Sequence, residues 1–321
     1  MARQTCIEIC AGAGGQAIGL ELAGFEPLAL VEIDSWACKT LRLNRPNWNV
    51  IEGDLRDFTG LPFSGIDLLA GGVPCPPFSV AGKQLGSDDN RDLFPEALRL
   101  VAEIMPEAVM LENVRGFLDK RFKDYREALK CRLSEMGYET EWRLLNASDF
   151  GVPQLRPRVV IVALRKEIWS HFSWPRPVKG VNLSVGEALY DLMASRSWKG
   201  ARMWKTLANR IAPTIVGGSK KHGGPDLGPT RAKEAWAALG IDGMGIANEP
   251  PAKDFVGMPR LTVPMVARIQ GFPNDWGFVG KKTPAYRQVG NAFPPPVAAS
   301  VAKQISMALS MARARRSTKV A

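Results

Sequence analysis

The run Cys6-Ile7-Glu8-Ile9-Cys10-Ala11-Gly12-Ala13-Gly14-Gly15 is apolar and β-branched at its start, glycine-rich at its end, and followed by helical periodicity over 15–23. Strand, glycine turn and helix in that order make a junction where backbone can approach a ligand closely. Glycine reaches conformations closed to other residues, and a helix N-terminus presents free N–H groups. Outward from this junction the pattern repeats. Further strands are expected at 27–32, 48–52, 67–71, 108–112 and 158–164, with helices at 35–43 and 93–104. Such alternation predicts an α/β domain with a mostly parallel sheet. From about 173 to 258 the texture changes: Pro175, Pro177, Gly217, Gly218, Gly223, Gly224, Pro225, Gly228 and Pro229 punctuate a stretch with little periodicity, read as a second, loop-rich domain. Helical texture returns at 263–270 and 295–311, and no internal repeat is apparent.

The chain has 321 residues, 45% of them hydrophobic and 23% charged, which suits one large or two unequal folded domains and excludes disorder and low-complexity fibres. No apolar run approaches the ~20 residues of a bilayer span, and the first residues lack the apolar core of a secretory signal, so a soluble cytoplasmic protein is expected. A net charge of +10 suggests a polyanionic partner. Nine Lys or Arg against the single acid Asp226 fall within 196–233. Five irregularly spaced cysteines do not form a disulfide framework, and the two histidines, His171 and His222, lie in no metal-ligand spacing, so no metal is expected.

Glu32 closes the second strand, 20 residues after Gly12, where an acid can accept hydrogen bonds from both ribose hydroxyls. Asp54 follows the third strand and is placed to meet an adenine amino group. No basic residue stands in the glycine turn and no phosphate-binding loop is present, so an adenosine without phosphates fits better than a dinucleotide. S-adenosylmethionine meets these conditions; the alternative is that both acids are solvated loop residues.

The fourth strand leaves through Gly71-Gly72-Val73-Pro74-Cys75-Pro76-Pro77-Phe78-Ser79. Prolines on both sides fix the backbone at Cys75, at the carboxyl end of a parallel strand where α/β proteins place ligands. The next strand ends in Glu112-Asn113-Val114, one strand away. Cysteine with glutamate and no histidine suits conjugate addition to a pyrimidine: the thiolate adds to C6 of cytosine, an acid takes up charge at N3, and C5 becomes nucleophilic. An ionised Glu112 would raise the thiol pKa by repulsion, so the chemistry wants Glu112 sharing a proton with the base. Arg156 and Arg158 could supply compensating charge or form an ordinary salt bridge at a strand start.

Together these residues resemble the DNA (cytosine-5) methyltransferase family across nearly the whole chain. Its motifs appear in order as Ala11-Gly12-Ala13-Gly14-Gly15, Pro74-Cys75-Pro76-Pro77-Phe78-Ser79, Glu112-Asn113-Val114, Gln154-x-Arg156-x-Arg158, Arg268-x-Gln270-Gly271-Phe272-Pro273 and Gln288-x-Gly290-Asn291-Ala292. The resemblance implies an S-adenosylmethionine-dependent, Rossmann-like fold with helices on both faces of the sheet. The catalytic domain would comprise 1–172 and 285–321, its last helix packing beside the first strand, and 173–284 would form the target-recognition domain. Cys75 would be the nucleophile, Glu112 would contact N3 and the exocyclic amine, and Arg158 would contact O2. Arg156 would hold the pocket and a neighbouring phosphate. Glu32 would bind ribose, Asp54 the adenine amine, and Ala11, Gly12, Gly14, Gly15, Asn291 and Ala292 the methionine end, with Cys10, Ile33, Leu55 and Pro74 also at the cofactor. The partner implied is duplex DNA, contacted by Ser79, Lys83, Gln84 and Arg91 on a loop that closes over it and by Lys220, Lys221 and His222.

Cys10 stands where the family usually has phenylalanine, and Ile33 where some members stack an aromatic, which predicts a roomier adenosine pocket and weaker cofactor binding. Trp198, Trp204 and Trp236 are expected in the core of the small domain, and the basic tail after Lys303 is expected to fray. A tRNA cytosine-5 methyltransferase would share every catalytic residue, and a non-catalytic DNA-binding relative would share the fold. The family analogy allows a monomer in a bacterial restriction-modification setting, with a cognate endonuclease acting separately.

Overall fold

The computed structural model describes residues 3–74, 92–178, 183–217 and 224–320. Strands β1 (Gln4–Ile9), β2 (Phe25–Glu32), β3 (Val50–Glu52), β4 (Leu68–Gly71), β5 (Ala108–Val114), β6 (Tyr138–Asn146) and β7 (Pro157–Arg165) form one sheet in the order β3-β2-β1-β4-β5-β7-β6. β1 to β5 run parallel, as the alternating pattern predicts. β7 runs antiparallel to both β5 and β6, folding back from β6 into the gap between them. The strand order is the Rossmann-like one that the resemblance implies. β6 and the preceding helix α4 (Lys123–Glu135) were not among the expected elements.

Helices α1 (Gly15–Leu22), α2 (Ser35–Asn44) and α3 (Phe94–Ile104) make the crossovers. α2 starts where Asp34 accepts hydrogen bonds from the backbone of Trp36 and Ala37, satisfying helix donors that would otherwise be orphaned. α5 (Lys166–Trp169) follows β7. The 173–284 segment contributes α6 (Val185–Ala194), α7 (Ala201–Leu207), α8 (Thr230–Ala237) and α9 (Val263–Gln270), and no strand among its described residues. Trp198, Trp204 and Trp236 are buried in its core, as expected, and that core runs on without a break into Ala17 and Ile18 of α1 and Leu41 of α2.

α10 (Lys282–Asn291) and α11 (Pro295–Val320) return the chain to the sheet. α11 lies against α1 at Gly19, where a Cβ would come within 2.7 Å of the Ala299 nitrogen, so only glycine allows the helices this close. Gln4 on β1 donates its side-chain amide to the Ser306 carbonyl at 3.0 Å. The expectation of a frayed tail is corrected. The helix continues to Val320, Arg313 pairs with Asp67, and Arg316 bridges Glu107 and Glu167 at 3.2 and 3.1 Å. Opposite charges just ahead of β4 and β5 and on α5 hold the basic turns in place.

Candidate active site

In an open α/β sheet, ligands settle outside the carboxyl ends of the strands where the strand order reverses. Here that point lies between β1 and β4, and a cavity of about 340 Å³ opens there. The cavity brings together Cys10, Ala11, Gly12, Gly15, Glu32, Ile33, Asp54, Leu55, Pro74, Asn291 and Ala292. Gly14 is set back from it, in a left-handed conformation (φ 93°) that leaves room for the Trp276 ring, whose indole donates to the Ala13 carbonyl at 3.1 Å.

Glu32 ties the junction together. One carboxylate oxygen accepts from the Gly12 backbone N–H and the other from Asp34 N–H, each at 2.7 Å. Burial pushes its pKa up, against the opposing pull of these N–H groups. Each oxygen keeps a lone pair for an incoming hydroxyl. Asp54 caps the short turn Leu55–Asp57 by accepting from Arg56 N–H at 2.9 Å, and its other oxygen pairs with the Arg56 guanidinium at 2.9 Å. Cys10 is half-buried with φ 51°, and burial together with Glu32, Glu8 and Asp54 raises its thiol pKa far above neutrality. These surroundings favour the neutral thiol over the thiolate.

Glu112, at the end of β5, lines the same cavity. The register sets Val114 opposite Arg158, and the Arg158 Nε lies 2.7 Å from a Glu112 oxygen in a pair almost closed to solvent. Burial raises the Glu112 pKa, opposed by Arg158 and Arg156. The adjoining Asn113 is buried and donates to the Val73 carbonyl at 3.0 Å. That bond fastens the exit of β4 beside β5, two residues before position 75. Cys75 itself lies outside the described residues, as do Ser79, Lys83, Gln84, Arg91, Lys220, Lys221 and His222.

Arg156 has a different environment from Arg158. It is 1% exposed and donates to three carbonyls: Ile215 at 2.7 Å, Gly290 at 2.7 Å and Ala292 at 3.1 Å. No solvent-facing phosphate can reach the guanidinium in this arrangement. Gln154 and Gln270, both fully buried, complete the fastening. Gln154 donates to Gln270 at 2.7 Å and accepts from Ile215 N–H at 2.8 Å, and Gln270 donates to the Ala292 carbonyl at 2.6 Å. Motifs 116 residues apart in sequence thus share one hydrogen-bonded joint behind Asn291 and Ala292.

The cavity also contains residues that the sequence did not single out. Glu8 lines it from β1, Gln16 from α1, Asp34 from the cap of α2, and Arg287 from α10. For Glu8 a signal was available: it is a lone acid between two isoleucines of a buried strand, where an acid is costly unless a polar site receives it.

A family model described as C-5 cytosine-specific DNA methylase matches residues 4–307. This chain belongs to that family. The methylase is 57% identical over 308 residues to the Type II methyltransferase M.NgoMIV of Neisseria gonorrhoeae, covering 95% of this chain and 98% of that one. It is 58% identical over 311 residues to the Type II methyltransferase M.NaeI of Lentzea aerocolonigenes, covering 95% of this chain and 75% of the relative. Its fold matches the crystal structure of the S. pombe Dnmt2 methyltransferase with a TM-score of 0.64 at 18% identity, covering 97% and 99% of the two chains. Among the described residues no helix is long and apolar enough to cross a membrane, and no cluster of three His, Cys, Asp or Glu could hold a metal.

Proposed function

We propose that this methylase transfers a methyl group from S-adenosylmethionine to C5 of a cytosine flipped out of duplex DNA, through a transient bond between Cys75 and C6. The observation that carries the reading is the single cavity in which Glu112, braced by Arg158, adjoins the residues grouped around Glu32 and the glycine turn. The residues fit the cofactor chemically: Glu32 and Asp54 are acceptors at the ends of adjacent strands, and the lining acids outnumber the lining cations, which suits a ligand carrying a sulfonium. When bound, the cofactor supplies an electrophilic methyl group.

The protein's own part is to create the nucleophile. The Cys75 thiolate adds to C6, a proton held by Glu112 is shared with N3, and the ring charge that results is drawn to C5. Arg158 holds the Glu112 carboxyl in place and, with its remaining donors, faces O2. Arg156 acts as a positioning residue through the backbone of Gly290 and Ala292. After methyl transfer, a base removes the C5 proton and the thiolate leaves.

Extruding the cytosine costs roughly a few kcal/mol. The basic 173–284 segment, read as the target-recognition domain, offsets that cost through phosphate contacts. The bacterial Type II relatives support a restriction-modification setting, and the family analogy adds a monomeric enzyme with a separate endonuclease. The test is irreversible capture: with methyl donor, duplex DNA carrying 5-fluorocytosine at the mapped site should become attached through residue 75, and Cys75→Ser should abolish attachment. Methylation of tRNA in place of duplex DNA, side by side, would overturn the substrate assignment.

A further inference from the structure

The glycine turn between β1 and α1 is shaped from outside. Cys10, Gly12 and Gly14 hold positive φ, at 51°, 54° and 93°, and a glycine-rich turn has many other conformations open to it. Ala11, Gly12, Ala13 and Gly15 line the cavity. Glu32 fastens the start of the turn through the Gly12 N–H, and its end takes a second restraint. The first bond of α1 runs from Ile18 N–H to the Gly14 carbonyl at 2.9 Å. That leaves the Ala13 carbonyl, one residue earlier, to the indole N–H of Trp276. The same indole fills the space over Gly14, where a Cβ would come within 2.8 Å of its ring.

Trp276 is 6% exposed and firmly seated. Its backbone N–H donates to the Pro273 carbonyl at 3.1 Å, in the turn that follows the Arg268-to-Pro273 motif. Asn44, at the end of α2, clasps the next residue twice: it accepts from Gly277 N–H at 2.8 Å and donates to the Gly277 carbonyl at 2.7 Å. Phe272 and Trp48 flank the indole with ring centroids 6.4 and 6.1 Å away. The Arg45 guanidinium lies 5.3 Å from the ring centroid and pairs with Glu21 of α1 at 2.8 Å. A residue of the 173–284 segment is thus braced by α1 and α2 and presses on the junction of β1 with α1. It does not line the cavity, so any effect on a ligand there passes through the turn.

We infer that Trp276 is a positioning residue for the methyl donor, its N–H and ring holding the glycine turn in the shape that receives the cofactor. The inference rests on the S-adenosylmethionine reading and adds to it a residue outside the cavity. Without the indole bond the turn spreads over several conformations, and only a fraction of them accept the ligand. The apparent affinity falls by that fraction. Loss of one neutral hydrogen bond sets the scale at about tenfold. Cofactor at saturation restores the turn, so the chemical step and the hold on DNA stay as they were.

The test is steady-state methylation of duplex DNA carrying the mapped site by the full chain, together with calorimetry of S-adenosylhomocysteine binding. Trp276→Phe keeps a ring near Gly14 and loses the N–H. It should raise the KM for S-adenosylmethionine and the Kd for S-adenosylhomocysteine about tenfold, with kcat and the KM for DNA within about twofold of wild type. Trp48→Phe trims the same aromatic cluster without touching the turn and should leave all four constants within about twofold. A merely structural role would lower the active fraction, and so kcat, at unchanged cofactor KM, and would act alike in both variants; either result would overturn the inference. If Trp276→Phe does not fold, Asn44→Ala carries the test. Freeing Gly277 loosens the seat of the indole and should raise the same KM about threefold, and an unchanged cofactor KM in that variant would overturn the inference. If the wild-type protein bound no S-adenosylhomocysteine, the cofactor reading itself would fail instead.

Discussion

Replacing Arg156 by alanine removes the donor shared by the carbonyls of Ile215, Gly290 and Ala292. A hydrogen bond from a charged group contributes about 1.5–3 kcal/mol, but the three bonds do not add. The variant also escapes the cost of burying a guanidinium whose nearest carboxylate, Glu112, is already paired with Arg158. Removing one member of a buried charged network typically costs ~3–5 kcal/mol. At about 2.1 cal/mol/K per residue, 321 residues carry an unfolding entropy of ~0.7 kcal/mol/K, so Tm should fall about 4–7 °C. Differential scanning calorimetry measures this directly. Arg156→Lys keeps the charge but presents one ammonium to three diverging carbonyls and should recover only part of the loss. Methyl transfer should fall in both variants at temperatures where they remain folded, because the carbonyls of Gly290 and Ala292 hold the turn that puts Asn291 and Ala292 in the cavity wall. A melting temperature for Arg156→Ala within 1 °C of wild type would refute the claim that this side chain is the joint.

Gly290→Ala would place a Cβ within 2.6 Å of the Gly217 nitrogen, so backbone must move; an overpacking cost of about 1–3 kcal/mol with loss of activity is expected, whereas Gly53→Ala meets no protein atom within 4 Å and should melt as wild type does. Cys10→Phe should tighten S-adenosylmethionine binding by restoring aromatic contact in the adenosine pocket, and unchanged affinity by calorimetry would count against it. In the ligand-free protein, raising the folded pKa of Glu8 above its unfolded value makes stability fall as pH climbs through the folded pKa, so Glu8→Gln should melt higher than wild type at pH 8 by a margin that closes toward pH 5. Among the four described cysteines, alkylation at pH 8 followed by mass spectrometry should find Cys131 modified and Cys6, Cys10 and Cys38 untouched. Cys131 is exposed, and burial raises the other three thiols, Cys38 to about 12.

The fold's parallel half was legible because each of its strands is an apolar run ending in a turn, and the glycine junction marks where the ligand must sit. β6 was harder to see. Tyr138, Thr140, Trp142 and Leu144 alternate with Glu139, Glu141 and Arg143, and at a sheet edge such a strand needs no continuous apolar run. α4 buries only Leu129 and Leu133 and is otherwise polar, so its sequence carries a weak periodic signal. The charges of the last turns looked like a solvated end because their partners, Asp67, Glu107 and Glu167, are distant in sequence. In the active site, the residue types announced Glu112 and Glu32. What they did not announce was division of labour: Arg156 and Arg158 differ by two positions, yet one grips backbone and the other grips a carboxylate.

The helix that closes the sheet over α1 comes from the far end of the chain, and so do Asn291 and Ala292 in the cavity wall. A ribosome therefore releases β1 and the glycine turn nearly three hundred residues before their covering is synthesised. Until α10 and α11 are made, the nascent protein has half a binding site and an uncovered apolar sheet face, and the missing contacts are of long sequence separation and form slowly. A truncation that removed α11 would therefore cost the enzyme its folding before it cost any residue of the chemistry.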